Sequence, residues 1–248
     1  MASWTITMLD TGTQSQDKGF MTYLTGMGQP IKIPVTVALL EGPEKILVDT
    51  SFLSVERTWE IRRRKIVRAP EQELLAALAV AGARREEITT VVLTHLHYDH
   101  AGNNQLFPQA RFLVQREELR YALAPSSFDA SAYFAPSLGI VPDYLGTRFE
   151  LLDGDTDIAP GVRVITTPGH TPGHQSVLVE TAAGRYCVAG DAVMWHENLT
   201  KRIPPGLHTS MLESLTSLEK IARMAEHVLP GHEPLLFAHP PARFPEAP

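Results

Sequence analysis

Residues 94–103 read Thr-His-Leu-His-Tyr-Asp-His-Ala-Gly-Asn, and four side chains able to ligate a metal, His95, His97, Asp99 and His100, stand within six of those positions. Three imidazoles packed this closely would repel one another if protonated, whereas neutral imidazoles beside a carboxylate are the donors that zinc takes. The preceding run at 89–93, Thr-Thr-Val-Val-Leu, is β-branched and apolar and predicts a strand. The ligand-type residues therefore leave a strand end. Alternate residues of an extended segment share a side, so His95 and His97 can point together, while the turn into Ala101-Gly102-Asn103 lets Asp99 and His100 reach a second position. A surface histidine is the plainer reading of any one of these residues taken alone. Their joint spacing favours a metal.

Further β-branched runs at 4–9, 35–40, 45–48, 111–114, 162–166, 176–180 and 186–189 also predict strands. Helical periodicity marks 71–81, 116–123 and 210–225, the last with Met211, Leu215, Leu218, Ile221, Ala222 and Ala225 on one stripe. Strands occur both as near neighbours and on either side of helices, which predicts an α/β protein with helices packed outside a mixed sheet system. No internal repeat or convincing boundary interrupts the chain, so residues 1–248 are expected to form one domain, with Pro-rich 238–248 as an irregular tail. The segment 125–146, with Phe128, Tyr133, Phe134 and Tyr144, reads as a long functional or packing loop.

Composition narrows the function classes. Hydrophobic residues make up 44% and charged residues 20% of the chain, a globular rather than a disordered or membrane composition. A formal net charge of -6 gives no global attraction for a phosphate backbone, so neither nucleic acid nor membrane is an expected partner. The densest basic run, Arg62-Arg63-Arg64-Lys65 continued by Arg68, is expected to be the solvated face of a helix. Cys187 is the only cysteine, which rules out an intrachain disulfide and suits a reducing compartment. With no signal-like N-terminus, the expected location is cytoplasmic.

The spacing His-x-His-x-Asp-His resembles the signature of the metallo-β-lactamase superfamily. That resemblance implies an α/β fold of four layers, an αββα sandwich, with the site at one edge of two packed sheets. Later blocks match in order: Thr-Pro-Gly-His-Thr-Pro-Gly-His at 167–174, Gly190-Asp191 after a strand, and Pro230-Gly231-His232, preceded far upstream by Leu-Val-Asp-Thr at 47–50. The resemblance assigns His95, His97 and His170 to one metal, and Asp99, His100 and His232 to another, with Asp191 bridging. Asp49 would orient a ligand by hydrogen bonding, and His174 would belong to the scaffold. The implied cofactor is a pair of divalent metal ions, zinc by the nature of the donors.

Within the superfamily the chain looks most like the N-acyl-homoserine lactonases, on residues 95–103, 167–174, Gly190-Asp191-Ala192, and a helix after Pro204-Pro205-Gly206 carrying Ser214-Leu215. This implies quorum-quenching chemistry on a small lactone: zinc-bound hydroxide attacks the carbonyl, and Asp99 delivers a proton to the leaving alkoxide. A thioester, another carboxylic ester or a cyclic amide is the alternative substrate, because thiolesterases of the glyoxalase II type share the motif. A metal-stabilised binding protein without turnover is the non-enzymatic alternative, disfavoured by retention of every ligand. That lactonase group carries a tyrosine three residues past the bridging aspartate, able to bind the carbonyl oxygen, where this chain has Met194. Tyr98 or His196 is the expected replacement donor, unless the metal alone suffices, and Met194, His196 and His208 are expected to line the substrate pocket. Assembly as a homodimer is left open.

Overall fold

The structure is a computed structural model, and it describes residues 3–245. Its strands form two sheets. The larger runs in the order β13 (Arg243–Phe244), β1 (Thr5–Asp17), β2 (Pro30–Glu41), β3 (Lys45–Val48), β5 (Ile88–Val92), β6 (Arg111–Gln115) and β7 (Phe149–Leu152), with β4 (Ile66–Val67) paired to β1. The smaller runs β12 (His227–Leu229), β11 (Gly184–Val188), β10 (Gln175–Thr181), β9 (Val162–Thr166) and β8 (Thr156–Ala159).

Period-two alternation explains why both faces of each sheet are covered. On β2, Ala38 and Leu40 join Val48 of β3 and Val92 of β5 in the core between the sheets, where they meet Val164, Val177, Val179 and Val188 of the smaller sheet. Val37 and Leu39 point the other way, against Leu74, Ala77 and Leu78 of α3 (Leu74–Val80) and Ala122 of α4 (Arg116–Leu123). On the smaller sheet Leu178 and Cys187 face outward onto Leu218 and Ile221 of α6 (Met211–Met224). Three apolar seams thus join four layers, helix, sheet, sheet and helix, and the expected αββα sandwich is the observed fold.

Several elements differ from expectation. The helix expected at 71–81 splits into a 3-10 turn at Pro70–Gln72 and the shorter α3, because Glu73 takes extended angles between them. Strands β4, β12 and β13, of two or three residues, are too short for a sequence pattern to expose, and β7 and β8 carry acidic residues within their four positions that mask the strand pattern. The Pro-rich stretch expected to be irregular contributes β13, whose Phe244 and Arg243 pair with Ile6 and Thr7. In the loop 125–146, Tyr133 and Tyr144 pack into the core above the larger sheet, and Phe134 stacks on Tyr98 with ring centroids 5.2 Å apart. Among the described residues no helix is long and apolar enough to cross a membrane.

Strand direction brings the site together. Strands β3, β5 and β6 are parallel, so Asp49 after β3 and His95 after β5 emerge at the same sheet edge. In the smaller sheet β9 and β11 both run antiparallel to β10, and β12 runs parallel to β11, so the residues following β9, β11 and β12 also share an edge. His170, Asp191 and His232 are those residues.

Candidate metal centre

The motif loop owes its shape to local contacts that its small and polar residues permit. A Cβ on Gly102 would fall 2.5 Å from the Leu53 nitrogen, so only glycine lets this turn lie on the 51–53 backbone. Asn103 follows it and donates its amide to the carbonyls of Thr50 and Phe52, both at 2.8 Å. With the loop anchored, His95, His97, Asp99 and His100 are all buried beside His170, Asp191 and His232. Ligand-type atoms of His95, His97 and His170 lie within 4.8 Å of one another, as do those of Asp99, His100 and His232, and those of His95, His100 and Asp191.

Asp191 lies between the two sets. Its Oδ2 is 3.3 Å from His170 Nε2, while its Oδ1 is 3.2 Å from His232 Nε2 and 3.4 Å from His100 Nε2. On the other side His95 Nε2 and His170 Nε2 approach His97 Nδ1 at 3.0 and 3.1 Å. Three ring nitrogens converging in this way lack the protons to satisfy each other. Nε2 of His97 is moreover buried without a hydrogen-bond partner among the described residues, and Nε2 of His100 faces Asp191 Oδ1 only at 3.4 Å and out of hydrogen-bond alignment. Buried polar atoms are normally paired, so the cluster has the form of a cation site, and its imidazole and carboxylate donors suit a pair of divalent ions.

The outward-facing ring atoms are held in place, which fixes the direction of the inward ones. Nδ1 of His170 meets the Leu207 carbonyl at 2.7 Å, and Nδ1 of His232 meets the Pro34 carbonyl at 2.7 Å. Nδ1 of His100 meets Asp49 Oδ2 at 2.8 Å, and Asp49 also accepts from the Thr94 amide at 2.7 Å. His174 stays outside the cluster: its Nε2 accepts from the Asp191 backbone N–H at 3.0 Å and its Nδ1 meets Thr167 Oγ1. It aligns the chain at Asp191 rather than facing the centre.

Electrostatics divides the imidazoles. Burial, reinforced by neighbouring imidazoles, holds His95 and His97 well below the usual histidine range, and so in the neutral form a metal requires. Burial also works against charge on His100, but Asp191 and Asp49 outweigh it and push this group up to about 10. Burial opposes ionisation of Asp191 as well, yet His232, His100 and His170 hold its carboxyl well below the ordinary value. The charges of these side chains thus compensate one another, and a cation binding among them must displace protons.

The profile of the metallo-beta-lactamase superfamily matches residues 35–232. The chain belongs to the metallo-beta-lactamase superfamily. An N-acyl homoserine lactonase of Bacillus cereus is 30% identical over 224 residues, covering 86% of this chain and 83% of that protein. The N-acyl homoserine lactonase AttM of Azorhizobium caulinodans is 31% identical, covering 84% and 85%. Among solved structures, an N-acyl homoserine lactone hydrolase with N-hexanoyl-L-homoserine bound at its catalytic metal centre superposes with a TM-score of 0.80 at 24% identity, covering 96% of each chain. AidC, a dizinc quorum-quenching lactonase, superposes with a TM-score of 0.72 at 16% identity, covering 94% of this chain and 89% of that one. These two likenesses establish the shared metallo-beta-lactamase architecture.

A cavity of about 200 Å³ opens on the cluster and reaches His97, Asp99, His170, Asp191 and His232. Tyr98, Met194 and His208, three of the residues expected at the substrate, line it. His196 does not. It follows Trp195 into α5 (His196–Thr200), where its Nδ1 meets Glu233 Oε2 at 3.0 Å, and it borders a different cleft. The basic run also departs from expectation. Helix α2 (Val55–Arg62) ends where Arg63 takes a left-handed conformation at φ 51°, and half-buried Arg62, its last residue, and Arg64, just past the turn, both line the cavity.

Two buried polar residues at the site carried no signal in the sequence. Gln14 donates to Asp99 Oδ2 at 2.9 Å and accepts from the Tyr98 hydroxyl at 3.0 Å. The register shift between Asp10 and Thr13 on β1 precedes it, and such a bulge re-aims the side chains that follow. Glu118, in the first turn of α4, is fully buried and accepts from the Leu96 amide, the Tyr133 hydroxyl and the Thr171 hydroxyl at 2.9, 2.7 and 2.7 Å. Its helix can approach so closely because residue 173 is glycine, where a Cβ would fall 2.0 Å from the Glu118 nitrogen. Glu118 thereby ties together both histidine loops and the 125–146 segment.

Proposed function

We propose that this chain is a metal-dependent hydrolase that opens a lactone ring, with two zinc ions as its resident cofactor. The observation that carries the reading is the pair of buried ligand sets with Asp191 facing both, together with the His97 ring nitrogen that has no hydrogen-bond partner among the described residues. His95, His97 and His170 would hold one ion, Asp99, His100 and His232 the other, and Asp191 would span them. When bound, such a pair supplies Lewis acidity and a water that ionises near neutral pH.

The remaining chemistry belongs to the chain. Hydrolysis adds water across the ester: a C–O bond forms at the carbonyl, the ring C–O bond breaks, and the alkoxide must take up a proton. Asp99 borders the cavity and is the proton carrier for that oxygen. Gln14 holds Asp99 Oδ2 by its amide, and Tyr98 fixes the rotamer of Gln14 by donating to its carbonyl oxygen. Burial pushes the Tyr98 hydroxyl up to about 12, so it remains a donor throughout the working range. The apolar group of Met21, Ile33 and Met194 beside the site supports turnover of a compact, water-shielded ring.

The relatives named for N-acyl homoserine lactones support a lactone over a thioester. The test is steady-state kcat/KM of zinc-loaded protein on acyl-homoserine lactones, simple γ- and δ-lactones, aryl esters, S-lactoylglutathione and a chromogenic cephalosporin. Lactones are expected to lead. A thioester or β-lactam turned over at least tenfold better than every lactone would overturn the reading.

A further inference from the structure

Arg62 and Arg64 line the same cavity as the metal-site residues. Arginine stays charged in proteins and presents its donors as a planar fork. Arg62 spends one donor on Ser131 Oγ, at 2.8 Å, and lies over the Tyr98 ring at 5.3 Å from its centroid. The charge of Arg64 acts on the Tyr98 hydroxyl. Among the described residues neither guanidinium forms an ion pair, although the chain pairs Arg57, Arg68, Arg111, Arg116, Arg120, Arg163 and Arg185 with carboxylates. Two partly buried guanidiniums thus stand on the wall of the site with no carboxylate at ion-pair distance among the described residues, while the charges of Asp99 and Asp129 act on Arg62 from further off.

The local charge balance says what would complete them. Two carboxylates of the cavity, Asp99 and Asp191, would be committed to the cations, and Asp129, also on the wall, accepts from the Tyr121 hydroxyl at 2.8 Å. Only Asp129 of the cavity carboxylates would stay off the cations, against two guanidiniums, so this wall carries an excess of positive charge and favours an anionic group. A cavity of about 200 Å³ also limits size, since ligand pockets generally run from about 300 Å³ upward.

We propose that Arg62 and Arg64 form a carboxylate-recognition subsite, and that the substrate is a compact lactone bearing one carboxylate. This rests on the lactone reading above. The carboxylate is not itself altered; it positions the ring, and hydrolysis releases a hydroxy acid with two carboxylates.

The test uses zinc-loaded protein and two γ-lactones of the same size, one carrying a ring carboxylate and the other the corresponding carboxamide. Calorimetric titration with their ring-opened products reads recognition separately from turnover. The wild type should bind the dicarboxylate product at least tenfold tighter than the carboxamide product, as loss of a charge-assisted pair implies. That ratio should shrink with added salt and fall toward one in Arg64→Gln and Arg62→Gln. The kcat/KM ratio of the two lactones should move in parallel. Equal binding of both products by the wild type, or variants that weaken both products alike and leave the ratio unchanged, would overturn the subsite and leave the arginines as supports of Tyr98. If the products discriminate as expected but neither lactone turns over, the subsite stands and the lactone reading falls. Arg64→Gln, outside the helix, keeps the test open if Arg62→Gln fails to fold.

Discussion

Asp49 aims one ring: its Oδ2 meets His100 Nδ1 while the Thr94 amide and hydroxyl hold the carboxylate still. Asp49→Asn should therefore weaken metal binding about 10- to 100-fold, the usual cost of losing such an outer partner. Competitive chelator titration of the purified variant checks this, and unchanged affinity would refute the orienting role. Glu118 has the larger structural reach. Glu118→Gln turns one acceptor oxygen into a donor facing Leu96, Tyr133 or Thr171, and should cost roughly 1–3 kcal/mol of stability.

Its pH dependence has a definite sign. Burial raises the Glu118 carboxyl above its ordinary value despite the donors from Thr171, Leu96 and Tyr133. A raised carboxyl favours the folded state below the unfolded value and withdraws that contribution as pH climbs through the folded value. The wild type should accordingly lose part of its advantage over Glu118→Gln between the ordinary glutamate pKa and the raised one. Denaturant unfolding across that range measures the difference, and a gap that widens with pH would contradict it. At this scale legibility was uneven. Clustered His95, His97, Asp99 and His100 announce themselves by spacing, whereas Glu118 in Arg-Glu-Glu-Leu looks like any solvated first-turn acid.

At the scale of elements, α2 delivers Arg62 to the cavity and depends on Ser54, whose hydroxyl accepts from the Arg57 amide at 3.1 Å. Ser54→Ala should cost about 1 kcal/mol, seen by calorimetry as a Tm lower by roughly 2–4 °C. An unchanged Tm would mean that the cap contributes nothing. The long strands and α6 were readable because their apolar period is sustained. Strands such as Ile66–Val67 and His227–Leu229 are defined by partners distant in sequence, β1 and β11, and carry no period of their own. The turn at Arg63 was hidden for a related reason. A basic run on a helix suggests a wet face, and nothing in the run itself shows that α2 stops at Arg62 or that Arg62 and Arg64 border a cavity.

For the whole molecule, the parallel strand directions in each sheet gather Asp49, His95, His170, Asp191 and His232 at one edge, so fold and site share a single origin. That edge joins both sheets through atoms a cation would bind, and metal binding should stabilise the fold. The central claim is the binuclear centre itself. Anomalous diffraction at the zinc edge from crystals of the zinc-loaded protein tests it most directly. The account predicts two peaks a few ångströms apart, one among His95, His97 and His170, the other among Asp99, His100 and His232, with Asp191 between. A single peak at full zinc loading, or zinc held elsewhere, would contradict it.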